Sequence, residues 1–175
     1  TTGKDSEWID IAGEMQGLRH FIHLHLIRYQ NKFTVEYDLD DNILDCLVLK
    51  LTLQPIVENS IFHGIKEKNK NESLIRIGGK YGPDKRSIVL YVEDNGVGIP
   101  AEKLNTLLTS SPAQNPHFKL RGFNSMGLKN VHDRLQLHFG SNFGLRLFSK
   151  IGHGTRVEVH IPVINDKDNI QSSGV

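Results

Sequence analysis

Cysteine is almost missing from this chain: Cys46 is the single one in 175 residues. One thiol closes no internal disulfide and builds no cysteine-based metal cluster, which fits a reducing compartment. Net charge is nearly missing too, because 21 Lys and Arg stand against 20 Asp and Glu, a balance of +1. The basic residues are scattered rather than blocked. The electrostatic attraction that non-specific nucleic-acid binding needs is therefore lacking, and no nucleic-acid partner is expected. No apolar run approaches the roughly 18 residues that span a bilayer, so this piece is not expected to sit in a membrane. Thr1-Thr2-Gly3-Lys4-Asp5 has neither an initiator Met nor a signal-peptide apolar core, so the chain reads as part of something longer. No internal repeat is visible. What is present suffices for a core: 38% hydrophobic and 23% charged residues describe one compact domain, neither disordered nor membrane-embedded.

The hydrophobic period changes along the chain. Ile11, Met15, Leu18, Ile22, His25 and Tyr29 follow alternating steps of four and three, the seam of a helix that packs against other helices. A bundle partner is expected for it. Phe33, Val35, Tyr37 and Leu39 then alternate with Thr34, Glu36 and Asp38, as a half-buried strand does. Asp40-Asp41-Asn42 is a turn cluster, and Thr52 is placed to cap a helix whose first turn tolerates Pro55 and which carries Ile56, Val57, Ser60 and Ile61 inward. Leu74 to Tyr81 and Ser87 to Glu93, joined by Gly82-Pro83-Asp84, predict an antiparallel hairpin. From Pro100 to Gly127 only a short helix around Ala101 to Leu108 is predicted, and the remainder is a long irregular loop of the kind that serves as a lid. Leu128, Val131, Leu135 and Phe139 give a second amphipathic helix, opened at Gly127 and closed by Gly140. Leu145 to Ser149 and Thr155 to Pro162 are strands around the Gly152-His153-Gly154 turn, and the polar run from Asn165 to Val175 predicts a disordered tail.

Four stretches could carry chemistry. Asn59 lies mid-helix beside residues that should be buried; its amide oxygen could serve a hard cation such as Mg²⁺ or simply be solvated or bonded locally. Asp94-Asn95-Gly96-Val97-Gly98 follows a strand end. There a carboxylate could accept from an exocyclic amine while glycines let the backbone approach a flat ligand, although Asn-Gly is also a common hairpin signal. Gly122 to Gly127-Leu128 delivers a flexible loop into a helix start, where free amides welcome phosphate, but its spacing is not that of a P-loop. Gly152-His153-Gly154-Thr155 alone is a plain turn. The nine histidines raise a metal question, yet steps of three and two between His20, His23 and His25 do not hold three imidazoles on one helical face, and no zinc site is expected. No Gly-x-Ser-x-Gly elbow occurs.

Taken in order, these stretches resemble the GHKL ATP-binding superfamily of gyrase, Hsp90, MutL and histidine kinases. Leu53-Gln54-Pro55-Ile56-Val57-Glu58-Asn59-Ser60-Ile61-Phe62-His63-Gly64 is similar to the N box of LytS/YesM-type sensor histidine kinases. Gly127-Leu128-Lys129-Asn130-Val131-His132-Asp133-Arg134-Leu135 is similar to the G2 helix of the same family. The resemblance runs from about Glu14 to Pro162. It implies an α+β fold of the Bergerat type, a two-layer α/β sandwich with a mixed sheet backed by helices and preceded by one bundle helix. Residues 8–30 would be the second helix of a dimerisation and phosphotransfer region, 31–163 the catalytic ATP-binding domain, and 164–175 a disordered tail. Asn59 would bind Mg²⁺ and Asp94 would take the adenine amine of ATP. Gly96 and Gly98 would shape the adenine pocket, Gly127 with Leu128 would lie under the phosphates, and Thr155 would help hold adenine through water. Two positions depart from the pattern. Pro55 stands where superfamily ATPases carry a water-activating Glu, which argues against autonomous hydrolysis. Phe62 stands where many histidine kinases carry a Lys, so that a phosphate contact would come from His63, Lys129, Lys119 or Arg121 instead.

The resemblance implies the cytoplasmic catalytic domain of a two-component sensor histidine kinase held in a bacterial inner membrane. Such a protein is a homodimer that passes the γ-phosphate to a histidine and then to a response regulator. That histidine would lie on a helix upstream of Thr1. His20-Phe21 imitates the acceptor motif, but the motif wants Pro before the His and Asn four residues after it, where Arg19 and Leu24 stand. The rival readings are an anti-sigma-factor-like serine kinase, which would not need the helix before Phe33, and a non-enzymatic nucleotide-gated interaction module.

Overall fold

Period-two alternation sorts the strands into an inner and an outer face. The computed structural model describes residues 7–30, 32–65, 73–109 and 125–165. Within it β1 (Trp8–Asp10) and β3 (Leu47–Leu49) form a small antiparallel ribbon. The main sheet runs in the order β2-β4-β5-β7-β6, from β2 (Thr34–Leu39), β4 (Leu74–Tyr81), β5 (Ser87–Asp94), β6 (Gly144–Lys150) and β7 (Gly154–Pro162). β2 and β4 are parallel and the other neighbours antiparallel, so the sheet is mixed. Ile75, Ile77, Ile88, Leu90, Val92, Val157, Val159 and Ile161 point inward and are buried. The intervening positions carry Glu36–Arg76 and Glu93–Arg156–Glu158 ion pairs, with the Arg156 guanidinium 4.0 Å from the centre of the Tyr91 ring. Exposed pairs of this kind contribute about 1 kcal/mol or less each; the inner face holds the fold.

Helices α1 (Ile11–Arg28), α2 (Gln54–Asn59) and α4 (Ser125–Phe139) back the inner face, and α3 (Ala101–Leu104) follows β5. The seam Ile11, Met15, Leu18 and Ile22 is buried as its spacing predicts, but in the same core as the sheet and α2 rather than in a separate bundle. The amides of Ile11 and Ala12 also donate to the Cys46 and Leu44 carbonyls. An apolar seam states that one face is covered without stating by what. The seam of residues 8–30 thus packs against residues 31–163 within this chain. Ile164, next to the predicted tail boundary, is only 4% exposed within the core. The Leu47 amide donates to its carbonyl at 2.7 Å, and the Cys46 thiol donates to Asn165 Oδ1. The remaining tail, 166–175, and the lid stretch 110–124 lie outside the described residues.

Thr52 does not cap α2. Its hydroxyl donates back to the Leu49 carbonyl at 2.6 Å. The amides at the start of the helix go instead to the Glu14 carboxylate, from Leu51, Thr52 and Leu53 at 3.2, 3.0 and 3.2 Å. Past Asn59 the helix widens into a π-turn, Ser60–Ile65, a distortion that is frequent at functional sites. The β4–β5 hairpin forms as predicted. α4 starts two residues before Gly127 and ends at Gly140, whose φ of +94° suits glycine.

One histidine of α4 makes stability depend on pH. His132 Nδ1 accepts from the Leu145 amide at 2.9 Å, and burial lowers its pKa below the ordinary 6.5. The unfolded imidazole therefore takes a proton at a pH where the folded one still resists. Stability is fully present above 6.5 and is lost as pH falls from there through the folded value. Urea unfolding between about pH 8 and pH 5 is expected to show this decline. His132→Gln, which keeps a neutral acceptor, is expected to flatten it.

Candidate functional site

Strand parity builds one wall of the site. Residues 88, 90 and 92 of β5 face inward, so Asp94 at its end does too, and Thr155 of β7 is its register partner on the same face. Asp94 is 8% exposed, and its Oδ1 accepts from the Gly96 amide at 2.9 Å. Burial raises its carboxyl above the ordinary carboxylate value, while hydrogen bonds from the Gly96 backbone, the Ser60 side chain and the Thr155 backbone pull it back. The opposite wall is α2, which carries Asn59 at its last position. That side chain is 8% exposed, and its amide nitrogen is buried without a hydrogen-bond partner.

Between the walls lies an open cleft. Ile56, Leu128, Val157, Val97 and Ile99 make it apolar, and Asn59, Ser60, Asp94 and Thr155 supply the polar groups. A few convergent polar groups in an apolar cleft describe a small-molecule site.

Residues 95–99 form no hairpin turn. Asn95 Oδ1 accepts from the Leu74 amide at 2.8 Å, and the Gly152 amide donates to the Val97 carbonyl at 2.8 Å. The segment is thereby docked on the β6–β7 turn. Gly98, at φ +78°, is needed for that docking, because a Cβ there would run into the Lys150 carbonyl. Its close approach is to backbone, in addition to lining the cleft. Ser149 ties the pieces together. It accepts from the Ile99 amide and lies 2.8 Å from Thr155 Oγ1.

Asn59, Asp94, Gly98, Leu128 and Thr155 thus come together around one cleft, with Gly96 held against Asp94 and Gly127 in the first turn of α4 beside Leu128. Lys129 is not among the lining residues; its amine pairs with Asp133 one turn on. His63 lies in the π-turn, and its side chain, like Lys119 and Arg121, falls outside the described residues. Phe62 packs edge-on against His25 and Tyr29 of α1, while His20 and His23 are exposed. Among the described residues no group of three or more His, Cys, Asp or Glu is placed to hold a metal ion. The unpartnered buried atom of Asn59 is its amide nitrogen; with oxygen and nitrogen exchanged, the oxygen brought to that place fits a cation that takes one protein oxygen and fills its shell from phosphates and water, as Mg²⁺ does. A half-turn about the last side-chain bond exchanges its oxygen and nitrogen.

Two residues escaped the sequence reading. Ser149 is a hydroxyl at an inward position of β6, opposite Thr155. Glu14 is an acid three residues from Ile11 and four from Leu18, on the buried seam of α1. A carboxylate there signals partners elsewhere in the chain.

The family model described as histidine kinase-, DNA gyrase B- and HSP90-like ATPase matches residues 48–165. Sensor histidine kinase YesM of Bacillus subtilis is 32% identical over 158 residues, 90% of this chain and 24% of that protein. Sensor protein LytS of Staphylococcus epidermidis is 32% identical over 170 residues, 95% of this chain and 26% of that protein. The chain spans about a quarter of the length of these curated relatives. Among solved structures, the catalytic domain of histidine kinase ThkA aligns with a TM-score of 0.64 at 13% identity, covering 90% of this chain and 95% of that one. The histidine kinase domain of the Erythrobacter litoralis blue-light activated histidine kinase aligns at 0.59 and 14% identity, covering 94% and 64%. At such identities the likeness is one of fold, and that fold is the mixed sheet backed by helices described above.

Proposed function

The chain belongs to the histidine kinase-, DNA gyrase B- and HSP90-like ATPase family, and from that premise we propose that it is the ATP-binding catalytic domain of a two-component sensor histidine kinase. The observation that carries this reading is the cleft itself, with a buried carboxylate on one wall and a buried, unspent amide on the other. Asp94 accepts a hydrogen bond from the adenine amine, Thr155 lies beside it, and Leu128, Ile56 and Val157 cover the ring. Asn59 holds Mg²⁺ through its amide oxygen. A Mg²⁺ ion held there by Asn59 would supply charge that offsets that of the phosphate oxygens and lessens their repulsion of an incoming nucleophile.

The chain's own part is to bind, orient and exclude water. A neutral imidazole nitrogen attacks without a strong base, in keeping with Pro55 in the first turn of α2, where no carboxylate is offered. The acceptor histidine belongs to a helix outside these 175 residues. His20 lacks the flanking residues of an acceptor and sits on a helix bound into the domain core. The whole protein is a homodimer that passes the phosphate on to a response regulator and is anchored in a bacterial inner membrane; among the described residues no helix is long and apolar enough to cross one. The named relatives are sensor kinases, which favours this reading over a serine kinase.

Calorimetric titration tests it. ATP with Mg²⁺ is expected to bind, and GTP to bind at least about tenfold more weakly, since Asp94 would face a carbonyl oxygen in guanine, an acceptor against an acceptor. Equal affinity for the two nucleotides would sink the assignment of Asp94. Asn59→Ala is expected to weaken binding in Mg²⁺ more than binding in EDTA.

A further inference from the structure

The turn 50–53, just ahead of α2, is held by side chains from two other helices. Leu51 sits there at φ +61° and is 58% exposed. For a residue with a side chain that conformation costs about 1–2 kcal/mol, and so little of Leu51 is buried that its own packing does not account for it. The turn is fixed from outside. Glu14 of α1 accepts the amides of Leu51, Thr52 and Leu53. Arg134 of α4 donates through Nη2 to the Lys50 carbonyl. No side chain of the turn caps α2, so beside the buried Leu53 and the Lys50 amide bonded to the Glu7 carbonyl, these two side chains help set where the helix starts and how it is aimed. The helix is six residues long, about 9 Å at 1.5 Å per residue, and its last residue is Asn59. A shift at the turn therefore arrives at Asn59 undamped by any intervening loop. Arg134 also lies on the helix that supplies Leu128 to the cleft.

We propose that Glu14 and Arg134 are positioning residues for Asn59, a two-sided clamp that sets its amide for the metal of a bound Mg²⁺-nucleotide. The inference rests on the proposed function, because it presumes that Asn59 meets Mg²⁺. A merely structural clamp would lower stability, and binding with or without Mg²⁺ alike. A positioning clamp acts on the metal-dependent part of binding, and only while Asn59 is present.

The test is a double-mutant cycle on the whole chain, reading the ratio of ATP affinity in Mg²⁺ to that in EDTA. Arg134→Met keeps the apolar stem and removes the donor; Glu14→Gln keeps the shape and removes the charge. Each is expected to reduce the ratio about fivefold or more, within the range that coupled neighbours show. In an Asn59→Ala background neither is expected to change it further. If the ratio stays at the wild-type value in folded Arg134→Met and Glu14→Gln, or falls by the same factor without Asn59, the clamp is purely structural and the proposal is overturned. Should Glu14→Gln fail to fold, Arg134→Met decides alone. A wild-type ratio of one overturns the Mg²⁺ assignment of Asn59, and the clamp with it; a normal wild-type ratio with unresponsive variants overturns the clamp only.

Discussion

Asp94→Asn is expected to cost about 10- to 100-fold in ATP affinity while leaving the protein about as stable as before. The affinity follows from a lost charge-assisted hydrogen bond, about 1.5–3 kcal/mol, at about 1.4 kcal/mol per decade. The asparagine oxygen can still accept from the Gly96 amide, which leaves an NH₂ facing the adenine amine, donor against donor. The same NH₂ can donate to the guanine oxygen, so the preference for ATP over GTP is expected to vanish or reverse.

The stability follows from the direction of the pKa. Burial raises Asp94 in the folded state above its ordinary value of 3.8, so the folded protein holds that proton at a pH where the unfolded chain has released it. Between the ordinary and the raised values stability falls as pH rises, and above the raised value the full cost of a buried charge persists. A neutral isostere removes that cost and gives up part of the hydrogen bonding from Ser60 and Thr155 in return, so stability is expected to stay near the wild-type value. Calorimetry with thermal unfolding at neutral pH checks both halves. A variant that binds ATP within about threefold of wild type would show that Asp94 is not the adenine acceptor. One that melts much lower would show that its charge holds the 94–96 turn rather than burdening it.

What the sequence made legible was whatever depends on local period and local spacing. The β4–β5 hairpin followed from alternation on both sides of Gly82-Pro83-Asp84. A shared role for Asp94 and Thr155 came from the resemblance alone, and the structure makes the two residues register partners. The failures lie where the deciding contact is distant. Thr52 satisfies a local capping rule, but the amides it would have served are taken by Glu14, 38 residues away. Three-residue strands such as β1 and β3 are too short to show a period. The seam of α1 was visible in sequence, and its contacts with the sheet and α2 within this chain were not. Gly98 lines the cleft, yet its approach to the Lys150 backbone depends on where two loops meet.

Gly154→Ala is expected to damage both fold and site. Gly154 has φ +123°, and a Cβ there would collide with the Asp94 carbonyl and stand 2.9 Å from Asn95 Cα. All of the atoms it meets are backbone, so no side chain can swing aside. Either β7 withdraws from β5 at the Asp94–Thr155 pair, or the 94–95 peptide moves. Both displace the carboxylate. Forcing an ordinary residue into that backbone region costs about 1–3 kcal/mol. With the clash added, a loss of about 3 kcal/mol is expected, on the order of a 10 °C fall in melting temperature for a chain of this size. Nucleotide affinity measured well below that melting point is expected to fall as well, since Asp94 and Thr155 move together. Gly152→Ala is the control. It sits two residues earlier at φ +83°, but its added Cβ would meet nothing within 4 Å, so only the conformational cost of about 1–2 kcal/mol applies and ATP binding should persist. If Gly154→Ala melts no lower than Gly152→Ala and binds ATP equally well, the β6–β7 turn does not press on Asp94. The Asp94 wall of the cleft must then be held by the 95–99 segment alone.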